Sequence, residues 1–121
     1  MTAILVADDH PDIVTLLSIT LGQEFEIIKA HDGETALSLI RNRKPSGVVL
    51  DIMMPGLLDG LQVLQQIRHD PELKNTVVAM VTARGQKKDV EEGELQGADG
   101  YFIKPFSPLE LVRWFKEKLH E

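Results

Sequence analysis

The sequence contains no cysteine. That excludes a disulfide framework and any thiolate zinc site, and it fits an intracellular, cytoplasmic setting. Histidine is sparse too. His10, His31, His69 and His120 are scattered without metal-ligand spacing, so a zinc ion held by imidazoles is not expected. Long apolar runs are missing, and the N-terminus lacks a basic segment followed by a long apolar one. Neither a membrane span nor a signal peptide is therefore expected. Positive charge is in the minority, with 13 Lys and Arg against 19 Asp and Glu and a net charge of −6. Phosphate backbones demand clustered cations, so direct nucleic-acid binding is not expected either. What is present is 121 residues, 43% hydrophobic and 26% charged. That is one soluble domain, large enough to bury a core and too small for a separate effector domain as well.

Strand-like and helix-like patterns alternate from end to end. Ala3–Ala7 reads as a fully buried strand, and Pro11 as a first-turn helix residue ahead of Ile13, Leu16, Leu17 and Leu21 at helical spacing. Phe25–Ala30 reads as a second strand near a sheet edge. Ala36, Leu37, Leu39 and Ile40 line a second helix that stops before Pro45. Gly47–Leu50 is a third, buried strand, and Leu61, Leu64 and Ile67 mark a third helix ending near Asp70-Pro71. Thr76–Val81 predicts a fourth strand, Gln86–Gln96 a polar fourth helix, and Gly100–Ile103 a short fifth strand. Pro108 then opens a last helix with Leu111, Phe115 and Leu119 on its buried face. Five β–α units in succession predict a single α/β domain over residues 1–121, a parallel sheet covered by helices on both faces.

Four apolar runs end in polar residues: Asp8-Asp9, Asp51, Thr82 and Lys104. If those runs are parallel neighbours, the polar groups meet at the carboxyl edge of the sheet, where open α/β sheets bind ligands. Three carboxylates, a hydroxyl and an ammonium in one shallow site point to phosphoryl chemistry on an aspartate. Mg²⁺ suits such a site, because it takes oxygen ligands and is held by one or two carboxylates plus phosphate oxygens. Taken singly each residue is ordinary: acids are favoured at helix starts, and aspartate is common in turns at strand ends. Their joint occurrence carries the argument.

The ordered set resembles the receiver domain of two-component response regulators over nearly the whole chain. The matching pieces are Asp8-Asp9, Asp51-Ile52-Met53-Met54-Pro55-Gly56, Thr82-Ala83 and Lys104-Pro105-Phe106. Weaker matches are Asp32-Gly33 with Ala36-Leu37, and Gly97-Ala98-Asp99. The resemblance implies a flavodoxin-like, doubly wound five-stranded sheet of order 2-1-3-4-5. It implies Asp51 as phosphoacceptor, with Thr82 and Lys104 as its catalytic partners. It also implies a Mg²⁺ site (Mn²⁺ able to substitute) formed by Asp9, Asp51, Asp8 partly through water, and the main-chain carbonyl of Met53. The phosphoryl donor would be a sensor histidine kinase or a histidine phosphotransfer protein. Thr82 and Tyr101 match the family's switch positions, and the output surface would be the fourth helix, fifth strand and fifth helix. The output partner is unknown. Such a domain is a signalling module, an enzyme only in catalysing its own phosphorylation and slow dephosphorylation.

The chain departs from the family in places. Gly56, Leu57 and Leu58 separate Pro55 from Asp59-Gly60, one residue more than usual, which predicts a bulged loop with exposed leucines or a small loop core. Val77 stands where many members carry proline. Met53 and Arg84 occupy the variable positions that govern phosphoryl lifetime, and a bulky apolar residue with a long cation predicts slow hydrolysis. Leu109, Arg113 and Trp114 replace much of the charged dimerisation pattern of the DNA-binding subgroup. Two other classes fit these residues less well. An aspartyl-phosphate hydrolase usually carries a second acid where this chain has Met53, and a pseudo-receiver would lack one of Asp9, Asp51, Thr82 or Lys104.

Overall fold

The strands β1 (Ala3–Ala7), β2 (Glu26–Ala30), β3 (Gly47–Asp51), β4 (Val77–Thr82) and β5 (Gly100–Ile103) form one sheet in the order β2-β1-β3-β4-β5, every pair parallel. Helices α1 (Pro11–Leu21), α2 (Gly33–Arg43), α3 (Gly60–His69) and α4 (Pro108–Lys118) complete the elements of this computed structural model, which describes residues 2–83 and 97–120. The expected helix over 86–96 and the side chain of Arg84 lie outside the described residues. The parallel α/β sheet is as the alternating pattern predicts, the strand order is the one the resemblance implies, and β2 is an edge strand.

Apolar side chains alternate across the sheet into two cores, as a period of two requires. Leu5, Val48, Leu50 and Met80 face α2 and α3, whereas Ile4, Val6, Val49 and Val81 face α1 and α4. The central strand β3 is buried along its whole length. Four strand boundaries differ from expectation by a residue. Phe25 packs in the core just before β2, and β3 runs on to Asp51. The strand β4 is shifted to Val77–Thr82, so that Thr82 is its last residue rather than the first beyond it.

The helices begin where their sequences say they should. Asp32, Asp59 and Ser107 cap α2, α3 and α4 with side-chain oxygens, and Asp59 and Gln62 form a reciprocal capping box. On α1 the buried residues are Val14, Leu17 and Leu21, and Leu16 is about half exposed at 47%. Leu16 of the expected apolar series turns toward a groove instead, while Ile13 packs on the core and also lines that groove, whose other walls are Lys104, Pro105, Phe106 and Pro108. Trp114 is half-buried, its ring edge-on to both Phe102 and Phe115, so it extends the core beside α4.

One charged staple holds the far end of the sheet. Arg68 on α3 donates to the carbonyls of Gly97, Lys74 and Thr76 and to Asp99 Oδ2 at 2.8 Å. Asp99 Oδ2 also accepts the amide of Val78 at 2.7 Å. Arg68→Ala strips a donor from four acceptors and is expected to lower unfolding free energy by about 2 kcal/mol. Urea denaturation checks this; a loss within experimental error of zero would contradict it.

Candidate functional site: an acidic cleft at the carboxyl edge

The register of the sheet brings the polar strand ends together. Main-chain bonds continue one step past the ladders: Asp8 N donates to Ala30 O at 3.3 Å, Ile52 N to Val81 O at 2.9 Å, and Lys104 N to Thr82 O at 2.7 Å. These ties fix the residues on which the side chains of Asp8, Asp51, Thr82 and Lys104 stand. Among the described residues, Asp8, Asp51 and Thr82 are the buried polar ones, at 3%, 3% and 4% exposure.

Lys104 Nζ lies 2.9 Å from Asp8 Oδ2 and 3.2 Å from Asp51 Oδ2, so one ammonium bridges two buried carboxylates. Asp51 Oδ1 accepts the Met53 amide at 3.1 Å. Asp8 Oδ1 accepts the His10 amide at 2.9 Å and lies 3.1 Å from His10 Nδ1. Asp9 Oδ1 is buried and has no hydrogen bond directed at it, although His10 Nδ1 is 3.1 Å away. Asp9, Met53, Met54, Pro55 and Asp59 line a shallow cleft of about 370 Å³ beside these groups.

Three charges in low dielectric shift one another. Burial, and then the charge of Asp8, push the Asp51 carboxyl up to about 6, against the pull of Lys104 and the Met53 amide. Burial also presses the Asp8 carboxyl upward, but hydrogen bonds from Lys104 and the His10 amide outweigh it and hold it below the usual range. Burial presses Lys104 down, yet its bond to Asp8 and the charges of both acids leave it above the ordinary lysine value. The site is therefore over-acidic for a single ammonium and suits a further cation.

The donor set fits Mg²⁺. One ligand atom each from Asp8, Asp9, His10 and Asp51 lie within 4.8 Å of one another, and Asp9 supplies a buried oxygen without a hydrogen bond. Three carboxylates give the hard oxygen ligands that Mg²⁺ prefers. Of the other expected residues, Thr82 lies in register with Ile103, one step beyond the Asp51–Val81 pair. Tyr101 lies two steps back, paired with Met80 and packed on the core that faces α2 and α3, outside the acidic cluster. Met53 is 70% exposed. In the longer loop both expectations hold in part: Leu57 is 84% exposed, whereas Leu58 is half-buried against the core.

Two contributors were not foreseen. His10 orients Asp8; its adjacency to the acidic pair was the available signal. Glu34 accepts the Leu58 amide at 2.7 Å across 24 residues of chain, and no local pattern announces that contact.

Comparison with known proteins agrees with this geometry. The family model described as the response regulator receiver domain matches residues 4–116. The DNA-binding response regulator MtrA of Mycolicibacterium smegmatis is 38% identical over 117 residues, covering 96% of this chain and 50% of that protein. The alkaline phosphatase synthesis transcriptional regulatory protein PhoP of Bacillus subtilis is 42% identical over 109 residues, covering 89% and 44%. The chain thus spans about half the length of the curated relatives it matches. Among solved structures, a putative response regulator from Chloroflexus aurantiacus superposes with a TM-score of 0.91 at 32% identity, covering 99% of this chain and 98% of that one. The chemotaxis protein CheY4 of Vibrio cholerae gives 0.89 at 28% identity, covering 97% and 98%. No helix among the described residues is long and apolar enough to cross a membrane. Sequence, sheet order and the assembled cluster agree: the chain belongs to the response regulator receiver domain family.

Proposed function

We propose that this chain accepts a phosphoryl group on Asp51 in a Mg²⁺-dependent reaction and thereby switches its output surface. The observation that carries the reading is the bridging of Asp8 and Asp51 by Lys104 beside the unsatisfied oxygen of Asp9. Asp8, Asp9, Asp51 and the main-chain carbonyl of Met53 would hold the ion, with Mn²⁺ able to substitute. When bound, Mg²⁺ would supply positive charge that offsets the negative charge of the carboxylates and of the incoming phosphate.

The residues of the chain do the rest. Asp51 is a carboxylate held out of bulk water and oriented by the Met53 amide, which favours nucleophilic attack on phosphorus. Its oxygen forms a bond to phosphorus as the bond to the donor's imidazole nitrogen breaks, leaving an acyl phosphate. Lys104 would exchange Asp51 for a phosphoryl oxygen, a charge-assisted hydrogen bond about twice as strong as a neutral one. Thr82, at the end of β4, would donate its hydroxyl to a second oxygen. Thr82 moving toward the phosphoryl group vacates space on the face of the sheet that Tyr101 shares by strand alternation. A switch from mostly inactive to mostly active needs about 5 kcal/mol of differential stabilisation, which a few new phosphoryl bonds supply.

The donor is a phosphohistidine of a sensor histidine kinase or phosphotransfer protein, acting in the cytoplasm. Residues 1–121 act as the receiver unit. Its charge of −6 argues against this domain itself holding nucleic acid. MtrA carries "DNA-binding" in its name, and this chain covers half of that protein.

Incubation with acetyl phosphate and Mg²⁺ tests the reading. One acid-stable, base-labile phosphoryl group per chain is expected, surviving well beyond seconds, and none with a chelator. Absence of incorporation with Mg²⁺ present would overturn it.

A further inference from the structure

We infer that Glu34 is a positioning residue for the acidic cleft, holding the loop between β3 and α3 from the first turn of α2. The inference rests on the phosphoacceptor reading, because that loop carries Met53. Glu34 Oε1 accepts the Leu58 amide at 2.7 Å in a partly buried bond. The same carboxylate lies against Gly56: a Cβ there would sit 2.7 Å from Glu34 Oε2, and Gly56 has a φ of +99° that disfavours any side chain. The approach of α2 is equally close. A Cβ on Gly33 would fall 2.1 Å from the Leu58 carbonyl oxygen, so glycine is what lets the helix start touch the loop. Asp32 caps that helix through the Thr35 amide and fixes where Glu34 begins.

The two ends of the loop are tied elsewhere. Met53 N donates to Asp51 Oδ1, and Gly60 N to Ile52 O at 3.0 Å. Glu34 adds a tie in the middle, beside the stretch of three residues separating Pro55 from Asp59. Met53, Pro55 and Asp59 wall the cleft with Asp9, so a loop released from Glu34 shifts one wall of the metal site. If the held arrangement falls to about a tenth of the population, apparent Mg²⁺ affinity falls about tenfold.

The test compares Glu34→Ala, Glu34→Gln and Glu34→Asp with the wild-type chain by Mg²⁺ calorimetry, thermal melting and amide exchange at Leu58 without metal. Glu34→Ala is expected to raise the Mg²⁺ Kd about tenfold and to speed Leu58 exchange, with melting nearly unchanged. Glu34→Gln keeps an acceptor oxygen and is expected to restore both. Should Glu34→Ala fail to fold, Glu34→Asp takes its place, its shorter side chain withdrawing the acceptor from Leu58. Wild-type Kd and Leu58 protection in the alanine variant, or a glutamine variant no better than alanine, would overturn the inference. Failure of the wild-type chain to bind Mg²⁺ would instead overturn the phosphoacceptor reading.

Discussion

Replacing Asp51 by Asn is expected to abolish phosphoryl incorporation and to make the metal-free protein more stable at neutral pH. The first effect follows from losing the nucleophile, since an amide oxygen cannot form the acyl phosphate. The second follows from the charge balance of the cleft. Burial and Asp8 push the Asp51 carboxyl from its usual 3.8 to about 6, so the folded state favours the protonated form. Across that window the native chain binds more protons than the unfolded chain. Stability therefore falls as pH rises from about 4 to about 6, by an amount on the order of 2 kcal/mol. Asp8 runs the other way: its carboxyl is depressed, so its contribution is present above the ordinary carboxylate range and lost as pH falls below it. The two effects occupy separate windows, and the one above pH 4 belongs to Asp51. Asp51→Asn should flatten that slope in denaturation curves recorded with a chelator. Mg²⁺ should flatten it in the wild-type chain. A variant less stable than wild type at pH 7, or one that still takes up phosphate, would contradict the account.

Lys104→Ala is expected to do the opposite to stability. It leaves two carboxylates, each with a side chain 4% exposed, facing one another without their cation. Breaking a buried pair by removing one partner costs about 3–5 kcal/mol, most of it the uncompensated charge left behind. The loss should shrink as pH falls through 6, when one acid takes up a proton, and should shrink when Mg²⁺ supplies the missing charge. Phosphorylation by acetyl phosphate should slow by about 10²–10³, the range found when one donor to developing charge is removed. Phosphorylation at the wild-type rate would remove Lys104 from the reaction.

Much of the fold was legible because the chain is locally consistent. Fully apolar stretches such as Val48–Leu50 are what a doubly covered parallel strand requires, and Pro11 and Pro108 mark the starts of the first and last helices. The cluster was legible for a related reason: strand ends in a parallel sheet share one edge, so Asp8, Asp51 and Lys104 converge once the order is known. Contacts set by tertiary approach were not legible. Helical spacing cannot tell that Leu16 turns to a groove beside Pro105 while Val14 enters the core. Nor does any pattern link Glu34 to Leu58, because that bond depends on how closely α2 passes the loop. Trp114 lies off the apolar stripe of its helix, and its burial comes from Phe102 on a neighbouring strand.

The most direct test of the central claim is to locate the modified residue. Borohydride reduction of the acetyl phosphate-treated protein converts an aspartyl phosphate to homoserine, which peptide sequencing then finds. The account predicts homoserine at position 51 alone, in a Mg²⁺-dependent yield. Homoserine at position 8, 9 or 59, or an unmodified Asp51 in a phosphorylated chain, would contradict it.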